Sequence, residues 1–136
     1  MIYLDSAATS LQKPPEVSRA VARAMHSCAS PGRGDHAAAM RAAETVFACR
    51  EEAAALFHMT QPENVVFTMN ATHALNIAIR SLVREGTRVA VSGFEHNAVM
   101  RPLYASGAII QASDTPLFDS EALLRWFEQS LPGCGA

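Results

Sequence analysis

The chain has 136 residues, 49% hydrophobic and 18% charged, which is enough for one packed core and too short for two of ordinary size. That balance excludes disordered, collagen-like and low-complexity classes. Eleven basic and thirteen acidic residues leave a net charge of −2, so there is no basic field to hold nucleic acid or an anionic membrane.

No apolar run nears the ~20 residues of a bilayer span. Residues 1–11 lack the basic-then-apolar plan of a signal peptide, so a cytoplasmic protein is expected. The three cysteines, Cys28, Cys49 and Cys134, are far apart and odd in number, which points to reduced thiols rather than a disulfide framework or a zinc site. The basic residues are ten arginines and one lysine, Lys13, so lysine chemistry must use that residue or a lysine from elsewhere.

In chain order, residues 2–4 form a short apolar run that suits a strand. Pro14, Pro15 and Glu16 then open a helix over residues 17–28, with Val17, Ala20, Val21 and Ala24 on one face. Residues 30–34, Ser-Pro-Gly-Arg-Gly, carry turn chemistry. The longest helical pattern, residues 35–58, is alanine-rich, with Asp35 as the expected N-cap and Met40, Ala43, Phe47, Ala54 and Phe57 as its apolar stripe. Cys28 and Cys49 read as small buried hydrophobes of these helices.

From residue 64 the pattern changes. Residues 65–68, Val-Val-Phe-Thr, suit a buried strand leading through Met69 and Asn70 into a helix over residues 73–83. A strand at 88–92 follows, then a turn at 93–95 and a helix at 96–104. A strand at 108–112 precedes a helix at 120–130 capped by Asp119. Three strand–helix units in succession predict an α/β fold with a parallel sheet and crossover helices. The organisation expected is one partial domain: a helical segment over residues 1–60 leading into strand–helix units over 64–130, cut between elements at the C-terminus.

Two turns attract attention. Residues 70–73, Asn-Ala-Thr-His, lie where a strand hands over to a helix, at the sheet edge where ligands of open α/β proteins bind. Amides of the helix start and the Thr72 hydroxyl would cradle a phosphate. The same turn also reads as a capped helix start, and the residues alone leave both open. His96 follows the next strand by one short turn, either stacking on a flat heteroaromatic ligand or moving protons there, or simply opening its helix. Arg33 and His36 stand in the Gly-rich turn, where an arginine can grip a carboxylate or stay in solvent. His26, His58 and His73 fit no metal spacing. No glycine pattern of a dinucleotide or P-loop site is present.

Four blocks, in order, resemble one family. They are residues 3–9 (Tyr-Leu-Asp-Ser-Ala-Ala-Thr) with Gln12-Lys13-Pro14, Arg33-Gly34-Asp35-His36, Val66-Phe67-Thr68 with Ala71, Thr72 and Ala74, and Glu95-His96-Asn97-Ala98. Together they are similar to the N-terminal part of the pyridoxal-phosphate-dependent cysteine desulfurases and selenocysteine lyases of the class V aminotransferase group. The resemblance implies the first part of a fold-type I large domain, with pyridoxal 5′-phosphate as cofactor, cysteine or selenocysteine as substrate and alanine as product. It also implies a homodimer and a sulfur-acceptor protein as partners.

Residue by residue, the resemblance implies that Ala71 and Thr72, with Asn70 beside them, hold the cofactor phosphate. His96 would stack on the pyridine ring and aid proton transfer, and Ala7 and Arg33 would lie near the substrate. Asn70 stands where the family usually has glycine, and His73 where an acidic residue often follows, which leaves the subfamily open. The family's Schiff-base lysine and sulfur-accepting cysteine come after the matched region, and neither Lys13 nor Cys134 corresponds to them. The chain alone is therefore expected to be inactive. The alternatives are another class V activity such as transamination, or a stand-alone binding or partner module.

Overall fold

A computed structural model describes residues 2–135. The chain divides into two compact units, Met1–Val66 and Phe67–Ala136.

The first unit is helical. Helix α1, Pro15–Ser27, begins with proline at its first position, where the missing amide costs nothing, and carries Glu16 in its first turn. Helix α2, Ala37–Leu56, is capped by His36 rather than Asp35, because the imidazole Nδ1 accepts from the Ala39 amide at 3.4 Å. It stops at Leu56, with Phe57 as C-cap and His58 at φ 54°, the left-handed position that closes a helix C-terminus. The Met59 amide then reaches back to the Ala54 carbonyl at 2.8 Å. The burial of α2 departs in part from the expected stripe, of which Ala54 is buried as expected. Its buried residues are Ala39, Ala42 and Ala54, while Met40, Phe47 and Phe57 are exposed. In the N-terminal half the packed positions, Ala39 and Ala42, lie one residue round the helix from the expected Met40 and Ala43. Cys49, expected inside, is likewise exposed, and Cys28 is half-buried at the end of α1.

The second unit holds the sheet. Helix α3, Ala71–Leu82, leads to strand β1, Arg88–Val91; helix α4, Asn97–Ala105, leads to β2, Ile109–Ala112; and helix α5, Ser120–Ser130, follows. The strands β1 and β2 pair in parallel with Arg88 opposite Ile109 and Val91 opposite Ala112, so β1–α4–β2 is a crossover unit. The core is Val83, Val89, Val91 and Leu103, with Ile79, Val99, Met100, Ala108 and Ile110 packed round it. Helices α3 and α4 lie against each other. Alternation along β1 explains why Val89 and Val91 go inside together.

The α/β class with a parallel sheet is therefore as expected, but two of the anticipated strands are not formed among the described residues. Residues 2–4 and 65–68 join no ladder, and Ile2, Leu4, Val66 and Phe67 are exposed. A β-branched run makes an extended backbone cheap, but a strand also needs a neighbour to satisfy its amides and carbonyls.

Candidate functional site

The candidate site comprises two of the helix starts of the second unit, those of α3 and α4. At α3, Asn70 adopts an extended backbone and its Oδ1 accepts from the His73 amide at 2.9 Å. The Asn70 carbonyl takes the Ala74 amide and, at 2.9 Å, the Thr68 hydroxyl. Asn70 thus closes the helix start without touching its first two donors. The Ala71 and Thr72 amides and the Thr72 hydroxyl have no hydrogen-bond partner among the described residues, and both residues are exposed. Two free N–H groups and a hydroxyl at the positive end of a twelve-residue helix suit a phosphate or carboxylate.

At α4, the turn after β1 is closed by side chains. Ser92 Oγ donates to Glu95 Oε1 at 2.6 Å and accepts from the Phe94 amide at 3.3 Å. Glu95 Oε1 also accepts from the Ser92 amide at 3.3 Å. Gly93 is required there, since a Cβ would overlap the carbonyl oxygen of Ser113, the residue after β2. Ser113 is itself buried, donates its amide to the Val91 carbonyl at 3.0 Å, and accepts from the Thr115 amide at 3.1 Å. This tight edge delivers His96 to the N-cap of α4, where its Nδ1 accepts from the Ala98 amide at 3.0 Å while the ring stays exposed.

Helices α3 and α4 pack together within one unit, so the phosphate-type turn and His96 belong to the same body. Ala7 and Arg33 are exposed residues of the first unit. Of the residues without a suspected role, His73 proves unusual, because its Nδ1 is buried without a partner on the first turn of α3. Sequence spacing showed only that it fits no metal pattern. Glu95 was marked only as part of a motif, and its bond to Ser92 three residues earlier is the signal of a closed turn. Lys13 is spent locally, with Nζ on the Ser10 carbonyl at 2.7 Å. Among the described residues no group of histidine, cysteine and acidic side chains could hold a metal, and no helix is long and apolar enough to cross a membrane.

The second unit thus carries an open helix N-terminus at α3 and a ring-bearing cap at α4, on helices that pack against each other. The class-V aminotransferase family matches residues 2–109, and the chain belongs to that family. Among individual proteins it is 30% identical over 130 residues to a cysteine desulfurase of Pectobacterium carotovorum, covering 90% of this chain and 32% of that protein. It is 34% identical over 108 residues to a probable cysteine desulfurase of Vibrio cholerae, covering 75% and 26%, and 35% identical over 107 residues to a cysteine desulfurase of Klebsiella pneumoniae, also covering 75% and 26%. The chain thus spans 26% to 32% of the length of these relatives.

Proposed function

We propose that this chain supplies the phosphate- and ring-holding part of a pyridoxal-phosphate-dependent cysteine desulfurase. The observation that carries the reading is the pair of free amides at Ala71 and Thr72 beside the free Thr72 hydroxyl. They form a set of donors with no internal use, in a chain whose relatives are cysteine desulfurases. These residues fit the anionic end of pyridoxal 5′-phosphate, with Asn70 holding the turn open and the exposed His96 ring providing a flat face for the pyridine. When bound, that cofactor supplies an electron sink for cleaving bonds at an amino acid's α- and β-carbons. Thr72 and the two amides bind and orient, and His96 sets the ring plane. Arg33, exposed in its turn, is the candidate for the carboxylate of cysteine or selenocysteine, with Ala7 beside the substrate.

An anchoring lysine is missing, since Lys13 is the only lysine and lies in the opening loop of the other unit. The chain alone therefore binds the cofactor without turning over cysteine. In the full activity, sulfur or selenium leaves the amino acid as alanine forms. A homodimer, a sulfur-acceptor protein and a cytoplasmic setting complete the proposal.

The reading is tested by titrating the chain with pyridoxal 5′-phosphate and following the cofactor's absorbance. Reversible binding is expected, weakened about tenfold in Thr72→Ala, the loss of one hydrogen bond to a charged group. No binding, or binding indifferent to Thr72, overturns the cofactor reading and favours a partner module. Sulfide released from cysteine by the purified chain overturns the claim of inactivity.

A further inference from the structure

We propose that the outer edge of β1 is a strand-accepting site, and that its occupant is the Val65–Thr68 run of a second copy of this chain, added parallel to β1. The inference is independent of the cofactor reading, because it uses neither the donors at Ala71 and Thr72 nor the ring of His96.

Strand β1 has a ladder on one side only. The Ile109 amide donates to the Thr87 carbonyl at 2.9 Å and the Ser113 amide to the Val91 carbonyl at 3.0 Å, so the odd-numbered residues of β1 face β2. Ala90 turns its N–H and C=O to the outer edge, where neither meets a partner among the described residues. That edge is recessed. Val89 and Val91 are buried with Ile79 of α3 and with Val99 and Leu103 of α4. On the opposite face Gln111, in register with Ala90, donates to the Ser130 hydroxyl of α5 at 3.3 Å, which places α5 on the Ala90 side. Leu82 of α3, Ala90 and Val91 of β1 and Phe127 of α5 accordingly line one cavity of about 230 Å³ at the edge of the strand. A half-buried main-chain donor and acceptor between two covered faces calls for an extended segment that is apolar on both of its own faces.

Val65–Thr68, Val-Val-Phe-Thr, has that character and is unspent. Val65 is extended, the Val66 and Phe67 amides have no partner among the described residues, and their side chains are 74% and 50% exposed. The other unpaired apolar run, residues 2–4, is tied into its own loop by the Tyr3 hydroxyl on the Asp5 and Thr9 carbonyls. In the single chain the 65–68 run stays exposed, so it does not serve its own edge.

The lane along β1 is already marked. The Gly135 amide donates to the Arg88 carbonyl at 3.0 Å, as the first residue of a parallel strand would, but glycine brings no side chain into the cavity. The incoming run displaces it, with Val65 opposite Val89 and Phe67 opposite Val91. The Ala90 amide then reaches the Val65 carbonyl, and the Phe67 amide reaches the Ala90 carbonyl. Charge sets the direction. Arg80, Arg84 and Arg88 lie before and at the start of β1 with one carboxylate among them, Glu85, and form no ion pair among the described residues. A parallel run brings Glu63 to this end, whereas an antiparallel one would bring it to Glu95 at the other. Each copy offers one run and one edge, so the exchange closes as a two-fold pair or grows as a filament.

The experiment is sedimentation of the 136-residue chain over a dilution series, with nitrogen-15 amide spectra of the same samples. Reversible association is expected below about 1 mM. On association the Ala90 amide should exchange more slowly and the Gly135 amide faster. In a mixture of labelled and unlabelled copies, contacts should join Phe67 of one to Val91 of the other. Phe67→Pro removes the donor to Ala90 and costs the single chain no hydrogen bond, since that amide has no partner among the described residues; it should raise the dilution midpoint about tenfold. Phe67→Leu keeps donor and apolar bulk and should move the midpoint by no more than about threefold.

A chain that stays monomeric to about 1 mM overturns the proposal, as does association that leaves Ala90 exchange unchanged. So does a midpoint unmoved by Phe67→Pro, or one moved as far by Phe67→Leu, which would mean that side-chain contact alone joins the copies. Contacts from Phe67 to Val89 instead of Val91 overturn the parallel direction.

Discussion

The N-terminal unit, Met1–Val66, and the C-terminal unit, Phe67–Ala136, are of similar length and both rich in helix, yet they bury different things. Among the described residues, the fully buried apolar positions of the first are Ala39, Ala42 and Ala54, and α1 buries none. The second buries Val83, Val89, Val91, Ala98 and Leu103 around a parallel strand pair. Alanine contributes little apolar area, so the first unit's fully buried positions remove little apolar surface from water, whereas the second has a branched-aliphatic core. The Ser92–Glu95 turn and the candidate donors at Ala71, Thr72 and His96 all lie in the unit that has this core.

Three substitutions break or sharpen this contrast. The largest effect is expected from Leu103→Ala, at the most deeply enclosed large side chain among the described residues, 1% exposed. It should cost about 2–5 kcal/mol, with cavity formation added to lost transfer energy. Urea unfolding followed by Trp126 fluorescence reports the second unit, since the only tryptophan is in α5. An unchanged midpoint would show that the aliphatic cluster is not the main source of its stability.

Gly93→Ala comes next. The new Cβ must push the Ser113 carbonyl away, at about 1–3 kcal/mol, and should also change the His96 ring signals, because the turn that carries them shifts. Retention of both stability and ring signals would mean that the edge between β1 and β2 yields more easily than its hydrogen bonds suggest. The smallest effect is expected from Val21→Ala on α1, a side chain 54% exposed in the unit that lacks a large core. A change within about 0.5 kcal/mol is expected from thermal melts followed by helical circular dichroism. A loss of several times that would reveal packing on α1 that the first unit does not display.

Much of the fold was readable from local pattern. Helix α5 and its Asp119 cap came from a carboxylate followed by an apolar period, and the Asp119 Oδ1 bond to the Ala122 amide at 3.0 Å is the direct expression of that signal. The strands at Arg88–Val91 and Ile109–Ala112 came from short β-branched runs bounded by turns. The start of α3 was legible for the same reason, although the helix begins at Ala71 rather than at His73. The cap of α2 was misplaced because the usual preference names aspartate, and an imidazole one residue later accepts the bond instead. The stripe of α2 was right at Ala54 but misplaced at Met40 and Phe47, because helical period fixes the spacing of a face but not which of two adjacent faces is covered.

The chemistry divides along the same line. Residue order alone specified where helices start, which residue types sit at those starts, that a single lysine is available, and the resemblance that led to the family. Those are properties of neighbours along the chain, governed by backbone preference and side-chain reach over a few residues. Tertiary structure decided that residues 65–68 remain unpaired, that Gly93 must be glycine because Ser113 comes against it, and that the alanine line of α2 is covered while Met40 and Phe47 are not. Each of these depends on groups distant in sequence meeting in space, and local propensity carries no information about such meetings.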